Sequence, residues 1–214
     1  MSSIVLSPGA TGAAAFTIEA PSTATSRVIT LPDATDTLVG KATTDTLTNK
    51  SIAATQLTGS VAVANGGTGL TALGPAFSAK PSSNQTITNN TTTLVTLGTE
   101  NFDTNSNFAS SRFTPTVAGY YQFDLTVTEE MAANKDVLTI GLLYKNGAEE
   151  MRSVDSGNMG AAGERSCSFS VVLSMNGSSD YVEMYIYHAD FTSTGSGTLK
   201  AIASRFSGAL IRGA

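Results

Sequence analysis

Large aromatic side chains are confined to one part of this chain. It has nine Phe, six Tyr and no Trp; Phe16 alone precedes residue 76, and all the others lie between Phe77 and Phe206. A soluble core draws on apolar area removed from water, at roughly 25 cal/mol per Å², and Ala, Thr, Ser and Gly supply little of it. Residues 1–74 therefore cannot close a core as a solitary chain. Residues 75–214 place Phe102, Phe108, Phe113, Tyr121, Phe123, Phe169 and Phe206 among Val, Leu and Ile, enough for one compact domain. The expected organisation is an attachment and stalk segment over 1–74 and a globular head over 75–214.

Charge narrows the possible partners. The net charge is −5, with acidic residues in excess in both segments, so neither offers the basic surface of a nucleic-acid binder. The single cysteine, Cys167, rules out an intrachain disulfide or thiolate metal cluster. The N-terminal MSSIVLSPGATGAAAF has neither a basic start nor a long apolar run, and no eighteen-residue apolar stretch occurs anywhere. Neither a signal peptide nor membrane insertion is expected.

The stalk consists of short Thr-rich pieces separated by turns. Ser7-Pro8-Gly9 and Leu31-Pro32-Asp33 carry turn chemistry, while Ala15 to Glu19 and Ser26 to Leu31 have extended character. Asp36-Thr37-Leu38 recurs at Asp45-Thr46-Leu47, a weak repeat, and Thr44 to Ile52 also fits a short capped helix. Gly66, Gly67 and Gly69 look superficially like a phosphate loop but lack the G-K-[ST] ending. They read as a flexible joint that lets chains approach closely.

LPDATDTLVGKATTDTLTNKSI (31–52), followed by VANGGTGLTAL (63–73), resembles the stalk sequence of tail-fibre and related fibre proteins of tailed bacteriophages. That resemblance implies a homotrimer whose N-terminal part joins other virion proteins and whose tip binds a receptor on a bacterial surface. The composition is consistent with trimerisation, because three intertwined strands bury Val, Ala and Leu side chains that one chain leaves wet.

The head alternates at period two. Tyr121, Phe123, Leu125 and Val127 share one face opposite Gln122, Asp124 and Thr126, and Cys167, Phe169, Val171 and Leu173 oppose serines in the same way. Cys167 thus reads as a packing residue. Lys145-Asn146-Gly147 is a hairpin signal, Met175-Asn176-Gly177 a second such turn, and Leu199 to Ile211 a long closing strand. Eight to ten strands without a long helix point to an all-β sandwich. PAFSAK (75–80), NFDTNSNFASSRFTPTVAGYYQF (101–123), LYKNG (143–147), SFSVVLSMNGSSDYVEM (168–184) and SRFSGALI (204–211) together resemble the complement globular-head family. This implies a trimeric ten-strand jelly roll related to tumour necrosis factor. The missing Trp and the stretch 151–165 depart from that family, so loop-level function does not carry over.

No catalytic constellation emerges, and neither enzyme activity nor a cofactor is expected. Glu129-Glu130 and Glu149-Glu150 alternate across a strand and read as solvated strand ends; His188, the sole histidine, reads as a strand-end residue beside Val182, Met184 and Ile186. Asp103, Asp155, Asp180 and Asp190 lack calcium-loop spacing, so no metal is assigned. Tyr181, Tyr185 and Tyr187 share a face with Glu183, a polar-tipped aromatic stripe read as a contact between heads, with a ligand-binding patch as second choice and a covered intrachain face as the plain alternative. Asp155 to Gly163, including Asn158 and Met159, reads as a small-residue loop for receptor contact or simple connection. The expected whole is a phage virion fibre with a host-binding jelly-roll head, on the tail or, alternatively, on the capsid surface as a head fibre or cement protein. Its partner would be a cell-surface glycan or protein.

Overall fold

A computed structural model describes residues 51–53, 56–59, 61, 67 and 74–213. The chain divides into two compact units, Met1–Ile52 and Ala53–Ala214. The strands and repeat expected before residue 50, and residues 44–50 of the helix expected over 44–52, lie outside the described residues. In the second unit, thirteen strands run in chain order: β1 (Ala76–Lys80), β2 (Gln85–Ile87), β3 (Thr91–Leu94), β4 (Thr99–Asp103), β5 (Phe108–Ala109), β6 (Arg112–Phe113), β7 (Ala118–Met131), β8 (Lys135–Lys145), β9 (Ala148–Met159), β10 (Gly163–Asn176), β11 (Val182–Asp190), β12 (Gly197–Leu199) and β13 (Arg205–Gly213). The count exceeds ten because β2, β5, β6 and β12 are pieces of two or three residues that pair beside longer strands.

All pairing is antiparallel, in a seven-stranded and a six-stranded sheet. In the first, β4, β1, β13, β7 and β10 lie side by side, with β12 and β2 continuing beyond the end of β13. In the second, β9, β8 and β11 are neighbours, and β3 and the β5–β6 hairpin share the other edge of β11. Consecutive long strands β7 and β8, and β9 and β10, belong to different sheets, as do β10 and β11. This repeated crossing gives the chain jelly-roll connectivity.

Alternation decides which side of each strand meets the core. Tyr121, Phe123, Leu125 and Val127 of β7 are buried against Val182, Met184 and Ile186 of β11 and Leu143 of β8. At the centre, Phe77 stacks on Phe113 at 4.3 Å and on Phe108 at 5.0 Å, and meets Phe206 edge-on at 5.0 Å. Truncating one such ring to Ala costs about 3–5 kcal/mol through lost transfer energy and a residual cavity. Cys167 packs in this core. Burial pushes its thiol pKa up, and its S–H donates to the Thr139 carbonyl at 3.2 Å.

Three expectations are corrected. The closing strand is broken, because a 3-10 turn at Ala201–Ala203 separates β12 from β13. The Asn176-Gly177 turn crosses between sheets and is not a hairpin; the Asn176 side-chain oxygen accepts from the backbone N–H groups of Ser178, Ser179 and Asp180 at 3.0 Å each. Asp155, Asn158 and Met159 lie in β9 and not in a loop, because their backbones pair with Thr139, Asp136 and Lys135 of β8. By contrast, Asn146 and Gly147 form the expected two-residue turn, with φ of 53° and 80°.

Candidate functional site

A depression of about 670 Å³ lies beside the β5–β6 hairpin. Ser110 and Ser111 form its two-residue turn with φ of 52° and 64°, and Ser106 nearby has φ of 53°. These left-handed conformations cost an L-residue about 1–2 kcal/mol each, and hairpins usually place Asn-Gly there. Surrounding bonds hold the segment in place. The buried Ser111 hydroxyl accepts from Leu97 N–H at 2.9 Å, Asp103 Oδ2 accepts from Phe108 N–H at 2.7 Å, and Asn107 exchanges hydrogen bonds with Thr116.

Arg112 of β6 stands opposite Glu183 of β11. Its Nε and Nη2 reach Glu183 Oε1 at 2.9 and 2.8 Å, and its guanidinium carbon lies 3.7 Å from the Tyr181 ring centroid. The hydrogen bond to Glu183 raises the Arg112 pKa. Tyr185 donates to Glu183 Oε2 at 3.2 Å, and burial, reinforced by that carboxylate, raises the Tyr185 pKa. Glu183 therefore accepts from Arg112 Nε and from Tyr185, with Arg112 Nη2 in ion-pair contact, while largely buried.

The expected tyrosine stripe is one face of the second sheet. Tyr181, Tyr185 and Tyr187 are half-buried there: Tyr181 under Arg112, Tyr185 packed on Tyr144 at 4.4 Å, and Tyr187 donating to Asn90 at 3.1 Å. All three are engaged within their own chain. In β9, Asp155 pairs with Arg165 at 2.6 Å, while Asn158 and Met159 lie further along the strand. Gly67 sits in a bend; Gly66 and Gly69 lie outside the described residues.

The outward face of the first sheet was not singled out from sequence. Small side chains cover much of it: Ala76 and Ser78 of β1, Ser207 and Ala209 of β13, and Ser170 and Ser174 of β10. Among them stand Phe102, Tyr120, Val172 and Ile211, each about half exposed. A shallow depression of about 360 Å³ runs between Phe102 and Ile211. A flat face of small residues with interspersed large apolar ones allows close approach of another surface.

A polar pair inside the core was also missed. Glu129 of β7 is fully buried and His188 of β11 is 2% exposed, so the expectation of a solvated Glu129 and an edge-lying His188 is corrected. His188 Nδ1 lies 2.7 Å from Glu129 Oε1 without the alignment of a directed hydrogen bond, so the contact is a close charge pair bridging the two sheets. Thr139 donates to Glu129 Oε2 at 2.7 Å, and His188 Nε2 lies 3.2 Å from the Gly195 carbonyl. Burial pulls the His188 pKa down, but Glu129, the Gly195 carbonyl and Asp190 outweigh it and the net direction is up. Gly197 is required beside this pair, since a Cβ there would stand 1.5 Å from Glu129 Oε1. The neighbouring Asp190 is also desolvated, yet Lys135 at 2.8 Å and the Ser193 and Thr192 donors hold its pKa far below the carboxylate range.

No protein-family model and no curated sequence matches the chain. Among solved structures it is similar to murine APRIL at pH 5.0 (TM-score 0.47, 11% identity, 64% of this chain and 99% of that one). It is also similar to the globular domain of zebrafish complement 1qA protein (0.44, 17%, 65% and 99%) and to Eiger TNF from S. frugiperda (0.47, 9%, 66% and 94%). The strand pairing itself defines the class: an all-β, two-sheet jelly-roll head.

Proposed function

We propose that the protein is a non-enzymatic, homotrimeric phage virion fibre in which residues 1–74 attach to other virion proteins and the jelly-roll head binds the bacterial surface. The outward face of the first sheet is the observation that carries the trimer. Half-exposed Phe102, Tyr120, Val172 and Ile211 are costly on a lone sandwich, and second and third copies of the chain would cover them. The stalk sequence 31–52 and 63–73 supports the virion setting through its resemblance to phage fibres. A binding role is favoured over catalysis because Glu129 is locked in the core while Glu130 faces outward to Lys200 at 3.0 Å, so the two acids share no substrate. Three weak contacts on one rigid tip raise each other's effective concentration, so avidity replaces high single-site affinity.

The alternative is a capsid-bound head fibre or cement protein anchored by its N-terminal arm. Electron microscopy of virions carrying a labelled head separates tail from capsid placement. Adsorption of the purified protein to host cells tests the binding role: saturable adsorption supports it, and none at the concentration of the assembled trimer overturns it.

A further inference from the structure

We infer that the depression beside the β5–β6 hairpin is a binding site for a carboxylated saccharide, with Arg112 taking the carboxylate and Ser106, Ser110 and Thr114 taking ring hydroxyls. The inference rests on the host-surface reading above and names the ligand chemistry of that surface.

Three observations lead to it. First, the depression holds about 670 Å³, room for one or two sugar rings within the usual range of small-ligand sites. Second, its unpaired polar groups are of one kind. Among the described residues, the hydroxyls of Ser106, Ser110 and Thr114 and the Nη1 of Arg112 have no side-chain or backbone partner, although all line this cavity. Glu183 already accepts from Arg112 and Tyr185 and has little capacity left for a ligand. The cavity therefore offers a planar guanidinium edge, oriented by Glu183 on one side and the Tyr181 ring below, together with hydroxyls that both donate and accept. The outer guanidinium edge, Nη1 with the second hydrogen of Nη2, can take a carboxylate side-on, and hydroxyls at several points match a polyol. Third, serine stands at two left-handed positions on the rim where glycine is free of strain. A strained hydroxyl-bearing residue at Ser106 and at Ser110 points to a use for the hydroxyls, since strain of this kind clusters at functional sites. The Ser111 hydroxyl is accounted for by Leu97 N–H, whereas those of Ser106 and Ser110 are not.

The test is calorimetric titration of the full-length protein with oligogalacturonate and with N-acetylneuraminate, each against its methyl ester, and with acetate as competitor. Saturable binding of at least one acid, tenfold or more tighter than its ester and resistant to equimolar acetate, is the expected result. Arg112→Lys keeps the charge but loses the fork and should weaken binding at least tenfold. The double variant Ser106→Gly/Ser110→Gly relieves backbone strain, so its thermal midpoint should hold or rise while binding weakens threefold or more. Absence of binding, equal affinity for acid and ester, displacement by acetate, or unchanged binding in the serine double variant each overturns the inference. Adsorption to host cells is measured in parallel. Wild-type adsorption that survives Arg112→Lys and the serine double variant sinks this site alone, whereas absent wild-type adsorption sinks the host-binding reading and leaves any saccharide titration standing.

Discussion

Replacing His188 by Leu should destabilise the head strongly. Glu129 is fully buried, and without His188 its carboxylate keeps only the Thr139 hydroxyl at 2.7 Å. Removing one member of a buried ion pair costs about 3–5 kcal/mol, because the other charge is left uncompensated. For a domain of this size that corresponds to a fall of about 6–20 °C in the thermal midpoint. The pH dependence has a definite sign. The His188 pKa is raised above its ordinary 6.5, so its contribution is fully present below about that value and is lost as pH rises through the folded pKa. Glu129→Leu/His188→Leu removes both charges and should recover most of the loss. The stability of wild type relative to this double variant should be greatest near pH 5 to 6 and should fall toward pH 9, measured by calorimetry at fixed protein concentration. A wild type that gains on the double variant as pH rises from 6 to 9, or a double variant as unstable as the two single variants summed, would refute the charge-pair account.

Val172→Arg together with Ile211→Asp, on the outward face of the first sheet, should convert the proposed trimer to monomer with the sandwich intact, as read by light scattering and far-ultraviolet dichroism; an unchanged oligomeric mass removes that face as the interface. Tyr185→Ala loses the packing on Tyr144 and the hydrogen bond to Glu183, so it should lower head stability by about 2–4 kcal/mol while the oligomeric mass stays constant. A fall in mass would instead return the tyrosine stripe to the contact between heads. Cys167, buried and with a raised pKa, should resist thiol reagents at pH 8 until denaturant is added; rapid native labelling would contradict its place in the core.

Much of the head was legible because alternation is a local signal. The faces of β7, β10 and β11 follow directly from runs such as Tyr121 to Val127. The same alternation continues to Glu129 and to His188, so their inward placement was present in the register. Charge on Glu129 argued for solvent, and a partner 59 positions away along the chain, supplied by the other sheet, is invisible to local reasoning. Small residues misled in a similar way at Asp155 to Met159, where pairing with β8 overrides weak strand propensity. The depression at Arg112 was hidden for another reason: Ser110 and Ser111 occupy a turn that sequence rules reserve for Asn-Gly, and Arg112 meets Glu183 only after β6 docks on β11.

Strand β1 is hydrogen-bonded on both flanks, to β13 and to β4. A pull along the chain from residues preceding Pro75 therefore enters the sandwich lengthwise, along the axis of a strand held in the middle of a sheet. Its ladder bonds must slide and break together and cannot unzip singly, as they could from an edge. In the virion fibre proposed above, a head of this build would hold its fold while a tethered particle tugs against a cell.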